Sequence, residues 1–271
     1  MNTFRQLLAA AGSNPPIGTM ITSASPLVAE AVAHAGFDWC LIDMANSAAD
    51  PLGIVPLLQA IAATRMTPLV RVPCSDALAI ERALDAGATT LILRLARDAE
   101  AAQAAVAATR YPPQGVRTLS ASGRASRFGT DAAYFRGANR EVAVIVQLES
   151  VPEAGRLESI AAVTGVDAIF VEPAALSAAM GHPGLATHPD AIALMADVVR
   201  RCKAAGKPVG AVGATAELVA QYRAIGFDFV AIASDLALLI RGATESIAAL
   251  KAQDRWVVHT LAGGTRTAAE P

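Results

Sequence analysis

Eight short apolar runs alternate with stretches of helical character, and this alternation limits the architecture more than any other feature. The runs are Ile17–Ile21, Trp39–Asp43, Pro68–Val72, Thr90–Leu95, Val142–Glu149, Ala168–Val171, Pro208–Val212 and Phe229–Ala233. Between them the helical patterns are Pro26–His34, Ile54–Ala63, Ala77–Ala86, Asp98–Thr109, Val151–Val163, Pro189–Ala205, Ala216–Ile225 and Leu236–Lys251. Nearly continuous apolar strands are buried on both faces, the habit of parallel sheets covered by helices. Eight such units predict an α/β protein with a closed (β/α)8 TIM barrel as a single domain. A doubly wound open sheet would also alternate, but the chain has no glycine-rich phosphate fingerprint, and no nucleotide cofactor is expected. Length agrees, because 271 residues is close to the ~250 that one such barrel uses. The barrel is expected over residues 1–251, with a polar C-terminal tail over 252–271.

The run Val142-Ala-Val-Ile-Val-Gln-Leu-Glu-Ser150 carries the first chemical signal. Side chains alternate across a strand, so Ile145, Gln147 and Glu149 share one face and Val144, Val146 and Leu148 the other. Two polar groups thus end one strand at the carboxyl face of a barrel, where active sites are built. Glu149 is a candidate metal ligand or acid/base there; the alternative is a carboxylate that caps the following helix.

Composition narrows the partners. Net charge is −2, with three lysines (Lys203, Lys207, Lys251), so there is no basic footprint for nucleic acid. A small-molecule partner is favoured. No apolar run reaches the roughly 18 residues of a membrane span, no leader is evident at Met1-Asn-Thr-Phe-Arg, and a cytoplasmic location is expected. Cys40, Cys74 and Cys202 have no metal-binding spacing and imply no disulfide framework. His34 ends a helix pattern, His182 and His188 flank a Pro/Gly loop after the sixth run, and His259 lies in the tail. The connection Tyr111–Arg140 is long for a compact barrel. Its Arg124 and Arg127 either meet an anionic ligand or belong to a solvated excursion.

Six motifs in order resemble one family. They are Gly36-Phe-Asp-Trp-Cys-Leu-Ile-Asp43, Val70-Arg-Val-Pro73, Arg110-Tyr-Pro-Pro-Gln-Gly-Val-Arg117, Arg124-Ala-Ser-Arg127, Gln147-Leu-Glu149 and Pro173-Ala-Ala-Leu-Ser177. Together they resemble the HpcH/HpaI aldolases, class II pyruvate aldolases related to citrate lyase β subunits, from about Phe4 to Lys251. The resemblance implies a metal-dependent barrel that cleaves 4-hydroxy-2-oxo acids to pyruvate and an aldehyde. It also implies a homo-oligomer, a hexamer built as a trimer of dimers, with the helix Leu236–Lys251 packed on a partner subunit. Carried over by position, Glu149 matches the metal carboxylate and Gln147 a neighbour facing pyruvate. Arg71 matches the residue that polarises the keto oxygen, Asp43 the acid that orients a catalytic histidine, and Asp85 an acid that reaches a neighbouring subunit's site.

The departures are equally specific. Where the family has Asp-Gly-Glu-His this chain has Asp43-Met-Ala-Asn46, an amide that cannot titrate in place of the imidazole. Where the family has Gly-Pro-Ala-Asp it has Glu172-Pro-Ala-Ala175, which removes a metal carboxylate and alters the loop of Pro173 and Ala174 that would hold the substrate carboxylate. Arg94 stands where the family more often has proline. Three readings follow: an aldolase of reduced or altered activity, a metal-free barrel with different chemistry on a small carboxylate, and a non-catalytic binding or partner protein. Divalent Mg or Mn is only weakly supported, with Glu149 and Glu172 as its ligands. Either such a cation or the pair Arg71 and Arg94 must balance the two glutamates, and the arginine arrangement is expected because Mg²⁺ tolerates poor geometry badly.

Overall fold

A computed structural model of the protein describes residues 1–94 and 96–262, with side chains through Ala252. Its eight strands form a closed, all-parallel barrel in sequence order: β1 Ile17–Ile21, β2 Trp39–Asp43, β3 Thr67–Val72, β4 Thr90–Leu93, β5 Ala143–Leu148, β6 Ala168–Val171, β7 Val209–Gly213 and β8 Phe229–Ser234. Each lies within two residues of its expected position where described; Leu95, placed in the fourth run, lies outside the described residues. The helices are α1 Thr3–Ala10, α2 Pro26–Ala33, α3 Ile54–Ala62, α4 Ala77–Asp85, α5 Ala99–Ala108, α6 Tyr134–Glu141, α7 Val151–Gly155, α8 Leu157–Ala161, α9 Pro173–Ala179, α10 Pro189–Ala204, α11 Ala216–Ile225 and α12 Asp235–Ala262. Glycine ends helices at Gly36, Gly87 and Gly226, with φ of +98°, +102° and +108°, a region that side-chain-bearing residues seldom enter.

The differences have local causes. The single helix expected over Val151–Val163 breaks at Arg156, whose φ of −105° and ψ of 12° are not helical, and becomes α7 and α8. The long Tyr111–Arg140 connection contains α6 and a 3-10 turn at Arg124–Ser126. Helix α1 begins the chain where no element was expected, capped by Asn2, whose Oδ1 accepts from the Phe4 and Arg5 N–H groups. The chain divides into one compact unit over Met1–Asp235 and a second from Leu236 onward. The expected boundary after Lys251 falls inside α12, and residues 263–271 of the expected tail lie outside the described residues. Among the described residues, no helix is long and apolar enough to cross a membrane.

Strand alternation makes two cores. One face of the sheet sends Ile42, Val70, Leu91, Val144, Val146 and Ile169 outward against the helices. The other sends Leu41, Leu69, Ile92, Ile145, Phe170 and Phe229 into the barrel. Aromatic rings fill the amino-terminal half of the barrel: Phe229 meets Phe4 at 5.2 Å and Trp39 at 5.6 Å, both edge to face. Such pairs add about 0.5–1.5 kcal/mol each beyond burial. Glycine makes the room, since a Cβ on Gly18 would lie 2.3 Å from the Trp39 ring and one on Gly210 2.3 Å from Phe229. Gly210→Ala should therefore overpack the barrel and cost about 1–3 kcal/mol. Urea unfolding checks this, through a lower midpoint with unchanged slope.

Candidate active site

Residues two apart on a strand share its face, so the inward positions that begin with Leu41 on β2 and Leu69 on β3 continue to Asp43 and Arg71 at the carboxyl end. These two are register partners on neighbouring strands. Arg71, 1% exposed, donates from Nε to Asp43 Oδ1 at 2.9 Å and from Nη2 to Asp43 Oδ2 at 2.6 Å. Its Nη1 donates to Glu172 Oε2 at 2.7 Å and Gln147 Oε1 at 3.4 Å. With the Asn46 amide oriented to satisfy its neighbours, Asn46 Oδ1 accepts from Arg71 Nη2 at 3.2 Å. A guanidinium has five N–H donors. All five therefore have acceptors from the chain itself.

Beyond Gln147 stands a second pair. Arg94 donates to both oxygens of Glu149, at 2.6 Å and 3.2 Å, and Gln147 Nε2 donates to Glu149 Oε1 at 2.6 Å. Glu153 fixes the strand end by accepting the Glu149 backbone N–H at 2.7 Å. Three carboxylates thus share two guanidinium groups, which leaves one negative charge in excess at the mouth. Burial pushes the Glu172 carboxyl up, more than Arg71 pulls it down, and the charges of Glu149 and Asp43 add to the rise. For Asp43 burial acts upward too, but hydrogen bonds from Arg71 and from the Ala45 and Asn46 N–H groups outweigh it and hold the carboxyl below its usual range.

A cavity of about 370 Å³ opens at this mouth, walled by Asp43, Asn46, Arg71, Glu172, Pro173 and Ala174, with Thr22, Leu218, Gly213 and Tyr222 among the remaining lining. Tyr222, on α11, is fully buried, and its hydroxyl has no hydrogen-bond partner. Burial and the charge of Glu172 push that hydroxyl up to about 12. Sequence reading had no signal for Tyr222 or Thr22. Periodicity marks the buried face of a helix but not what that face meets. Gln147, Glu149 and Arg94 adjoin the cavity's charged wall without lining it.

Other anticipated residues lie elsewhere in this chain. Asp85 accepts from Arg117 Nη2 at 2.6 Å, and that guanidinium stacks 4.5 Å over Tyr111. Arg124 donates to the Ala86 carbonyl at 2.7 Å and, with Arg127, lines a cleft near Thr89 and Val142, before β4 and β5, at the opposite end of the barrel. His182 and His188 stack at 3.4 Å beside Asp190 at the start of α10 and are not among the cavity's lining residues. The side chain of His259 lies outside the described residues.

The donor set does not suit a divalent cation. Both Glu149 oxygens face N–H donors, and Ala175 offers no side-chain oxygen. Glu172, the expected second carboxylate, is held by Arg71. Mg²⁺ asks for near-octahedral oxygens at about 2.0–2.1 Å, so it would have to displace Arg94 and break the Arg71 array.

Known proteins resemble this chain along most of its length. The HpcH/HpaI aldolase/citrate lyase family model matches residues 17–242. The chain is 45% identical over 236 residues to a 2-dehydro-3,6-dideoxy-6-sulfogluconate aldolase of Pseudomonas putida, covering 87% of this chain and 92% of that one. It is 43% identical over 249 residues to a pyruvate aldolase of Rhizobium etli, covering 92% and 97%. Among solved structures, an HpcH/HpaI aldolase/citrate lyase family protein from Burkholderia cenocepacia J2315 superposes with a TM-score of 0.89 at 38% identity, covering 93% of this chain and 100% of that one.

Asp43→Asn tests what the buried pair contributes. Removing one partner leaves Arg71 under-compensated, so stability should fall by about 3–5 kcal/mol. Because the folded carboxyl lies below its unfolded value, the wild-type contribution is full above about pH 4 and is lost as pH falls through the depressed folded value. Urea midpoints measured from pH 7 down to pH 3 should converge for wild type and variant.

Proposed function

Since the chain belongs to the HpcH/HpaI aldolase/citrate lyase family, whose members are aldolase-type lyases, we propose that its cavity takes a small 2-oxo acid and cleaves 4-hydroxy-2-oxo acids slowly, without a metal. The observation that carries this is the array of Asp43, Arg71 and Glu172 on the wall of a cavity sized for such a molecule. In the cleavage, a base takes the proton of the 4-hydroxyl group, the bond between carbons 3 and 4 breaks, and its electron pair remains on the pyruvyl fragment as an enolate. Glu172 is the base in this reading, because Asn46 cannot titrate and burial already raises the proton affinity of Glu172. Arg71 supplies fixed positive charge where the enolate develops, and Arg94 keeps Glu149 neutralised beside it. Returned from Glu172 to carbon 3, the proton completes pyruvate. A Schiff base is disfavoured, because Lys203, Lys207 and Lys251 lie in or just after helices rather than at carboxyl ends of strands.

The saturation of Arg71 favours a second reading, in which the site binds a small carboxylate without turnover. We also infer a homo-oligomer. Leu239, Ile240, Ile247 and Leu250 of α12 are all more than half exposed, an apolar series suited to a second copy of the chain. Light scattering at micromolar concentration should report a species larger than the monomer.

Losing an imidazole base typically costs about 10²–10⁴ in rate. Released pyruvate, measured with a coupled dehydrogenase, should therefore appear that much more slowly than with the relatives above. Asn46→His should raise the rate and Glu172→Gln should abolish it; a Glu172→Gln variant as active as wild type would transfer the base role elsewhere. Titration calorimetry should detect no micromolar Mn²⁺ binding to wild type, and binding should emerge in Arg94→Met combined with Ala175→Asp. Micromolar binding by wild type would overturn the metal-free reading.

A further inference from the structure

A 2-oxo acid that reaches Arg71 meets a guanidinium with nothing to offer. Two of its donors hold Asp43, one holds Asn46, one Gln147 and one Glu172. Asp43 is locked from both sides, since it also accepts the Ala45 and Asn46 N–H groups at 2.8 Å and 3.1 Å. Gln147 is 1% exposed and spends its own N–H on Glu149. Glu172 differs. Its side chain is 16% exposed, it lines the cavity, and among the described hydrogen bonds its carboxylate has one partner, Arg71. It is therefore the ligand's natural competitor, an anion already seated where an incoming anion must sit.

A displaced carboxylate, still largely buried, needs another donor to offset its desolvation. One residue of the same cavity's lining can supply it: Tyr222, whose hydroxyl is buried and without a partner. Buried hydroxyls are rarely left without a partner, and those that are call for a reason. We propose that Glu172 is a two-position gate, which yields its Arg71 donor to a 2-oxo acid and docks its carboxylate on the Tyr222 hydroxyl. Tyr222 in this scheme is a positioning residue, which acts on the ligand through Glu172. The gate rests on the proposed 2-oxo acid reading, and it explains how a saturated arginine binds anything.

A double-mutant cycle tests it, with the full chain, pyruvate and oxalate as probes, and calorimetry as the readout. Glu172→Ala removes the competitor and should tighten probe binding about tenfold or more, the worth of one hydrogen bond to a charged group. Tyr222→Phe deletes a hydroxyl that has no partner at rest, so the thermal midpoint should hold while probe affinity drops about tenfold. In the Glu172→Ala background the same Tyr222→Phe change should have no effect, because the gate it serves is gone. Equal losses in both backgrounds would show that the hydroxyl touches the ligand itself, and no loss in either would make Tyr222 merely structural; each overturns the gate. Should Glu172→Ala fold poorly, Glu172→Gln serves, with tightening expected in the same direction. Binding by wild type that neither Glu172 variant improves would overturn the gate and leave the proposed ligand class intact, whereas no binding by any variant would remove both.

Discussion

The Arg71 guanidinium is the charge around which the mouth of the barrel is arranged. A cation 1% exposed is tolerable only if its donors are met, and each acceptor arrives from a different element: Asp43 from the end of β2, Asn46 from the turn after it, Gln147 from β5 and Glu172 from the end of β6. Strand register makes this possible. Asp43 and Arg71 are opposite partners in the ladder, so their bidentate geometry follows from backbone pairing rather than from flexible side chains finding each other. Everything chemical at the mouth then follows from how the surplus negative charge is distributed. Arg94 takes Glu149, and the remainder settles on Glu172, the carboxyl with the raised proton affinity.

Much of this could be read from the chain. Period-two alternation put Gln147 and Glu149 on the inward face of their strand, and the interior cluster of Ile145 with Leu41, Leu69 and Ile92 is that face seen from below. Arg71, Asp43 and Glu172 were identifiable through the family resemblance, whose motifs they share or depart from at the ends of apolar runs. Helix ends were legible where glycine enforced them. What the alternation could not convey was tertiary direction. Tyr222 reads as one more apolar position of α11, and Asp85, expected to reach a neighbouring subunit's site, meets Arg117 within its own chain. The Arg124–Ser126 turn is three residues long and α6 only eight, too short to stand out, so the long connection looked structureless, and its arginines gave no hint that they would settle near Ala86 at the other end of the barrel.

The ring cluster at the amino-terminal end has a further meaning for how such a barrel changes over time. The rings of Phe4, Trp39 and Phe229, fitted around Gly18 and Gly210, make no hydrogen bond to the charged array above them. Energetic effects at sites that share no partners are close to additive, so the scaffold and the mouth answer to separate selection. A lineage can exchange an imidazole for an amide or a glycine for a glutamate at the rim while its folding reserve is held elsewhere. The ring cluster thus acts as a reservoir of evolvability: substitutions at the rim can be tried on a chain that keeps folding.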